Sequence, residues 1–183
     1  NLHSAETNDE MDALAEKIMP MLTEHSNNIT LNAQLFNRIK AVYDNKDHLS
    51  LNGEEYMLLE NTYQSFIRSG ANLCEKDKDE FKRISADLSL NILKYSQNLL
   101  KETNAYELRL SEEQLQGLPE SAIATYAQTA KEKGKEGYIV TLQIPSFSPF
   151  MKYSTNRELR RQMWTAYNTR ALGGEFDNSE IVK

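Results

Sequence analysis

The chain has 183 residues, of which 27 are acidic and 21 basic, for a formal net charge of −6 at pH 7. Seven glycines and four prolines are too few for collagen-like or Gly/Pro-rich disordered chains and argue against a turn-rich β-sandwich. A single cysteine, Cys74, excludes an internal disulfide framework; the acidic balance speaks against a nucleic-acid partner, and no apolar run nears the roughly 18 residues of a membrane span.

The dominant period is helical. Met11, Leu14, Ile18 and Leu22 are spaced 3, 4 and 4 behind a Thr7/Glu10 capping box, which predicts a helix over 8–25 that Pro20 kinks or divides. Leu31, Leu35, Ile39 and Val42 predict a second helix over 31–45. Tyr56, Leu59, Tyr63 and Phe66 predict a third over 53–69, capped by Asn52 with Glu55 and closed by Gly70.

The fourth helix, 75–103, is the longest. Phe81, Ile84, Leu88, Ile92, Tyr95 and Leu99 keep helical spacing over five turns, and Leu90, Leu93 and Leu100 widen the buried stripe. That stripe predicts Leu88, Ile92, Tyr95 and Leu99 as buried, and Lys76, Lys78 and Lys82 as exposed.

Alternation then replaces the helical period. Tyr106, Leu108 and Leu110 predict a strand over 106–110, and the β-formers of Tyr138 to Ile144 a second over 138–144, ended by Pro145 and Pro149. Ser111 with Gln114 opens a short turn of helix, and a helix over 119–133 lies between Pro119 and Gly134. Residues 104–145 thus read as a βαβ-like excursion within a single helical region spanning 1–183. Its 27-residue connection allows a right-handed parallel crossover, with antiparallel pairing as second choice. Thr155 with Glu158 caps a last helix over 155–170, and Leu172 to Asn178 is a loop. The expected fold class is mainly α with one short two-strand β element.

Chemistry is sparse. His3, His25 and His48 lie 22 and 23 residues apart, with no pair at the spacing that places two imidazoles on one helical face, so they read as solvated residues rather than zinc ligands. Cys74, near a helix start but with no histidine close in sequence, reads as a structural thiol. Glu54 with Glu55, and Glu112 with Glu113, suit helix N-termini, which explains them fully; a general acid/base pair is the other use of such carboxylates, and nothing in the sequence selects for it. Arg157, Arg160 and Arg161 form a basic cluster that either meets an acidic partner or stays wet; Arg170 is a candidate ion-pair partner of Asp177. No catalytic, cofactor-binding or metal-ligating residue is assigned.

Several segments resemble the M3 zinc peptidases, the thimet oligopeptidase and peptidyl-dipeptidase group. They are Leu51-Asn52, Glu55-Tyr56, Leu58-Leu59, Tyr63, Phe66 and Arg68-Ser69-Gly70-Ala71-Asn72-Leu73, followed by Gly117-Leu118-Pro119-Glu120-Ser121 and Ala130-Lys131-Glu132-Lys133-Gly134. Tyr138 to Pro145, Tyr153, Asn156-Arg157-Glu158-Leu159-Arg160, Tyr167-Asn168-Thr169-Arg170 and Asp177-Asn178 complete a collinear series. No single motif is specific; their order is. Ser69 to Leu73 is most similar to the dipeptidyl carboxypeptidase branch, with oligopeptidase A the near alternative.

The resemblance implies a zincin-like parent that releases C-terminal dipeptides from oligopeptides, with this chain in the helical wall of the substrate channel. It implies zinc in that parent and none bound here, because the family's His-Glu-x-x-His motif is absent from this sequence. It also implies the remaining catalytic region of the same polypeptide as partner. The start at Asn1 likewise suggests a piece of something longer or a processed product. The compartment, cytoplasmic or periplasmic, stays open. A non-catalytic helical interaction domain is the alternative.

Overall fold

The computed structural model describes residues 7–183. They are mainly helical: α1 (Asp9–Thr30), α2 (Ala33–Asp44), α3 (Gly53–Arg68), α4 (Glu75–Ala105), β1 (Leu108–Leu110), α5 (Glu120–Glu132), β2 (Tyr138–Val140), α6 (Ile144–Tyr153) and α7 (Arg157–Asn168). Short 3-10 turns cover Lys46–His48 and Glu112–Leu115. The chain divides into two compact units, with the boundary inside α4 between Leu93 and Lys94.

In the first unit, α1 is capped by Asn8, whose side-chain oxygen accepts the Met11 N–H at 2.9 Å. The expected cap, Thr7, instead donates to Asp12 Oδ1 at 2.7 Å. Asn8 wins because it stands one residue nearer the first helical turn, where its oxygen reaches an orphan amide. Pro20 does not divide α1, which continues ten residues beyond it to Thr30. It removes one internal donor, and the turns on either side keep the helix intact.

Asn32 caps α2, and Asn52 with Glu55 caps α3 in a full capping box. The two helices pack through Phe36, which stacks on Tyr63 and Phe66 at centroid distances of 5.9 and 6.3 Å. After α3, Gly70 takes φ +85°. Its N–H donates to Ile67 O while the Ala71 N–H donates to Phe66 O, the double bond of a Schellman ending.

Helix α4 has the expected extent, and Leu93 of the widened stripe is buried as expected, but the main row is not. Leu88, Ile92 and Tyr95 are exposed and Leu99 is half-buried, whereas Leu93, Gln97 and Lys78 are buried. Lys76 and Lys82 are exposed as expected; Lys78 is not, and its ammonium reaches out to Glu75 at 2.9 Å. Spacing locates an apolar stripe on a helix but says nothing about which side meets the neighbouring elements of this stretch.

In the second unit, β1 and β2 pair antiparallel, Leu108 with Val140 and Leu110 with Tyr138. This overturns the preferred parallel crossover. The 27-residue connection leaves and returns at the same end of the pair: the 3-10 turn and Pro119 carry the chain out, and α5 brings it back. Tyr126, Ile139, Val140, Leu142, Phe150 and Met163 form its innermost layer, with at most 1% of their surface exposed.

The second strand also stops earlier than expected. Pro145 does not end the structure but opens α6, where a first-turn proline has no internal hydrogen bond to lose. Ser146 Oγ accepts the Thr141 N–H at 2.9 Å and fixes the turn from strand to helix. The last helix is capped by Asn156, one residue after the expected Thr155.

Candidate functional site

The residues singled out for chemistry do not converge. His25 is exposed on α1, His48 is exposed at the end of the first 3-10 turn, and Cys74 is an exposed free thiol. His3 lies outside the described residues. Among the described residues, no three His, Cys, Asp or Glu side chains come together as a metal-binding group. The described residues therefore do not fit a zinc site, and no reaction step is built on one from them. Glu54 and Glu55 stand in the first turn of α3, and Glu112 and Glu113 in the 3-10 turn, where free amides offset their charge.

The arginine cluster splits into different uses. Arg161 pairs with Glu158 at 2.9 Å, both side chains well exposed, while Arg160 Nη1 donates to the Ser154 carbonyl. Arg157 is exposed.

Arg170 does not pair with Asp177. Its guanidinium lies 3.7 Å from the Tyr167 ring centroid, Nε donates to Tyr167 O at 2.8 Å, and Nη1 donates to Thr103 Oγ1 at 3.1 Å. Asp177 Oδ1 accepts from Ser179 Oγ and from the amides of Gly173 and Ser179. These bonds, the Ser179 hydroxyl first among them, pull its carboxyl down to about 2.

What sequence reasoning missed is a clasp that fastens the 170–179 loop onto the end of α4. The Ala171 N–H donates to Glu102 Oε2 at 2.9 Å, with Ala171 held at φ 55°. Asn178, 1% exposed, donates through Nδ2 to Tyr95 O at 3.1 Å and accepts from Asn98 Nδ2 at 2.8 Å. The Asp177-Asn178 pair was visible in the sequence as a similarity to a family, but its physical use requires partners 80 or more residues away.

Two of the shallow grooves on this unit carry several hydrogen-bonding side chains. One, of about 520 Å³, runs along α7 past Tyr106, Gln162, Arg161 and Thr165. The Tyr106 hydroxyl there is buried without a well-formed hydrogen bond among the described residues; burial raises its pKa, with the Gln162 amide acting against the rise. The other, about 420 Å³, is lined by Thr103, Thr125, Thr129, Thr141 and Lys133; the hydroxyls of the first three donate to carbonyls one turn back. Lys133 is engaged with Glu107 at 3.0 Å. Both grooves offer hydrogen-bonding groups, and neither holds a nucleophile beside a base.

No family model matches the chain. Curated relatives do. Oligopeptidase A of Salmonella typhimurium is 32% identical over 189 residues, covering 100% of this chain and 28% of the relative. Dipeptidyl carboxypeptidase of Escherichia coli is 32% identical over 181 residues, covering 98% and 27%. The chain is homologous to the M3 peptidases. A thimet-like oligopeptidase of Dictyostelium discoideum extends the set at 24% identity over 174 residues. The chain spans about a quarter of the length of these relatives. Identity is the same for the oligopeptidase A and dipeptidyl carboxypeptidase examples, so it does not separate the two branches.

Proposed function

We propose that this chain forms part of the helical wall over the substrate channel of a zinc-dependent oligopeptidase. Its parent would release dipeptides from the C-termini of oligopeptides. The observation that carries the reading is the collinear 32% identity to oligopeptidase A across the whole of this chain. The mainly helical fold and the hydrogen-bonding grooves suit a wall that admits flexible peptides and turns away folded ones.

In this reading the metal site and the groups that act on the scissile bond belong to polypeptide outside these 183 residues; among the described residues no cluster of metal-ligating side chains forms. When bound there, zinc would supply a water of lowered pKa as the attacking group. The residues of this chain do no proton transfer; they shape, hold and exclude.

The test is to express the whole protein encoded by the reading frame that contains this sequence and to supply short N-terminally blocked peptides. Chelator-sensitive release of C-terminal dipeptides supports the reading. Chelator-sensitive cleavage at other bonds only leaves the zinc oligopeptidase reading standing and removes the release of C-terminal dipeptides from it. No hydrolysis of any short peptide by the zinc-loaded protein would defeat it in favour of a helical interaction domain.

A further inference from the structure

The chain carries a single Asn-Gly pair, Asn52-Gly53. In such a pair the backbone nitrogen of the glycine can attack the side-chain amide of the asparagine, because glycine puts no Cβ in the way and its backbone turns freely. The attack needs a free nitrogen, a carbonyl oxygen that can carry negative charge, and a leaving nitrogen open to water.

The start of α3 supplies all three, with both residues of the pair exposed. Three of its opening amides are bonded: Asn52 N–H to Glu55 Oε2, and the Glu54 and Glu55 N–H groups to Asn52 Oδ1 at 2.9 and 3.0 Å. Among the described residues the remaining one, Gly53 N–H, donates to nothing, so it can turn without breaking a hydrogen bond of the helix. The two donors on Asn52 Oδ1 stabilise the charge that this oxygen takes up as the amide is attacked. Asn52 Nδ2 donates to no described residue and faces water.

Asn178-Ser179, another asparagine before a small residue, is the contrast. Asn178 is 1% exposed, its Nδ2 donates to Tyr95 O, and its Oδ1 accepts from Asn98.

We propose that Asn52 is a deamidation site of this protein. The Gly53 nitrogen gives its proton to solvent base and bonds to Asn52 Cγ; the Cγ–Nδ2 bond breaks, and ammonia leaves with a proton from water. Water then opens the resulting cyclic imide at one or the other of its two C–N bonds. The net change is water in and ammonia out, with no oxidation or reduction. One product, an ordinary aspartyl, keeps an oxygen for the Glu54 and Glu55 amides and adds negative charge at the helix start. The other, an isoaspartyl, routes the main chain through the former side chain and dismantles the capping box. Deamidation therefore alters, in one direction only, how α3 begins, the helix whose Tyr63 and Phe66 stack on Phe36. The proposal does not depend on the oligopeptidase reading.

The test incubates the whole protein from its reading frame in mildly alkaline buffer, folded and in urea, and follows each asparagine by peptide mapping and mass spectrometry. In the folded protein, conversion at Asn52 should be at least about tenfold faster than at Asn178. Folding should slow Asn52 by less than about threefold relative to urea, and Asn178 by more than about tenfold. Gly53→Pro removes the attacking N–H, suits the first turn of a helix and accepts the extended backbone of Asn52, φ −77° and ψ 174°, so it should abolish conversion at Asn52. Circular dichroism checks its fold. Gly53→Ala, whose Cβ would meet nothing within 4 Å, is the second variant and should slow conversion several-fold.

Conversion at Asn52 no faster than at Asn178 in the folded protein, though fast in urea, overturns the proposal, because the capping box would then lock the amide. Conversion at Asn52 that persists undiminished in Gly53→Pro overturns it too, since the attack would not come from that nitrogen.

Discussion

Tyr126 has no exposed surface, and its hydroxyl donates to the Ser146 carbonyl at 3.0 Å. Burial pushes its pKa up to about 12, so it stays a neutral donor across the physiological range. Tyr126→Phe leaves that carbonyl without its partner and should cost about 1–3 kcal/mol, read by urea unfolding. Gly70 is similarly constrained from another direction. A Cβ there would sit 2.9 Å from Leu73 Cδ1 at φ +85°, so Gly70→Ala should lower stability by about 1–2 kcal/mol, from the left-handed backbone cost alone. Asp177 sets an acid-side dependence. Its carboxyl is held near 2 in the folded chain, below the ordinary value of 3.8, so its contribution is present above pH 4 and lost as pH falls through about 2. Thermal melts of Asp177→Asn should therefore differ from those of the unsubstituted protein at pH 6 and converge with them near pH 2.

The helices were legible at the level of the element because their caps and periods are local. Asn52 with Glu55, Gly70, and Ser111 with Gln114 all act within a few residues of themselves, and each does what its spacing implies. Sidedness was not legible. Helix α4 makes the point measurable: Leu93, 4% exposed, and Leu88, 54% exposed, lie five residues apart on opposite flanks. In the 183-residue chain, Leu93→Ala should cost about 2–5 kcal/mol and Leu88→Ala no more than about 0.5 kcal/mol, compared in parallel denaturant titrations. Costs in the reverse order would mean that the outward row is the true core of this stretch. The strand pair shows a related limit. A 27-residue connection is long enough for either hand of pairing, and only the return of α5 to the starting edge selects antiparallel.

For the molecule as a whole, the chemistry expected from the sequence is an absence. The two described histidines and Cys74 are exposed on separate elements. We expect the 183-residue chain, purified and dialysed, to hold well under one zinc per molecule by metal analysis and to release no dipeptide from a blocked peptide. Stoichiometric zinc with chelator-sensitive hydrolysis would overturn this, and His25, His48 and Cys74 would be the first residues to substitute. Among the described residues no helix is long and apolar enough to cross a membrane.

The sequence alone determined where helices begin and end to within a few residues in most cases, the mainly α class, and the collinear kinship with the M3 peptidases. Those depend on short-range rules: caps, periods, turn glycines and the order of local segments. Tertiary structure decided the rest. Pro145 begins a helix because Ser146 Oγ reaches back to Thr141, and Asn178 is buried because Tyr95 and Asn98 lie across from it. The apolar row of α4, Ile84 and Leu88 among it, is exposed although its spacing is that of a buried stripe. A helix carries its stripe with it, but which side is buried is a property of what stands opposite, and that is set by contacts far apart in the chain.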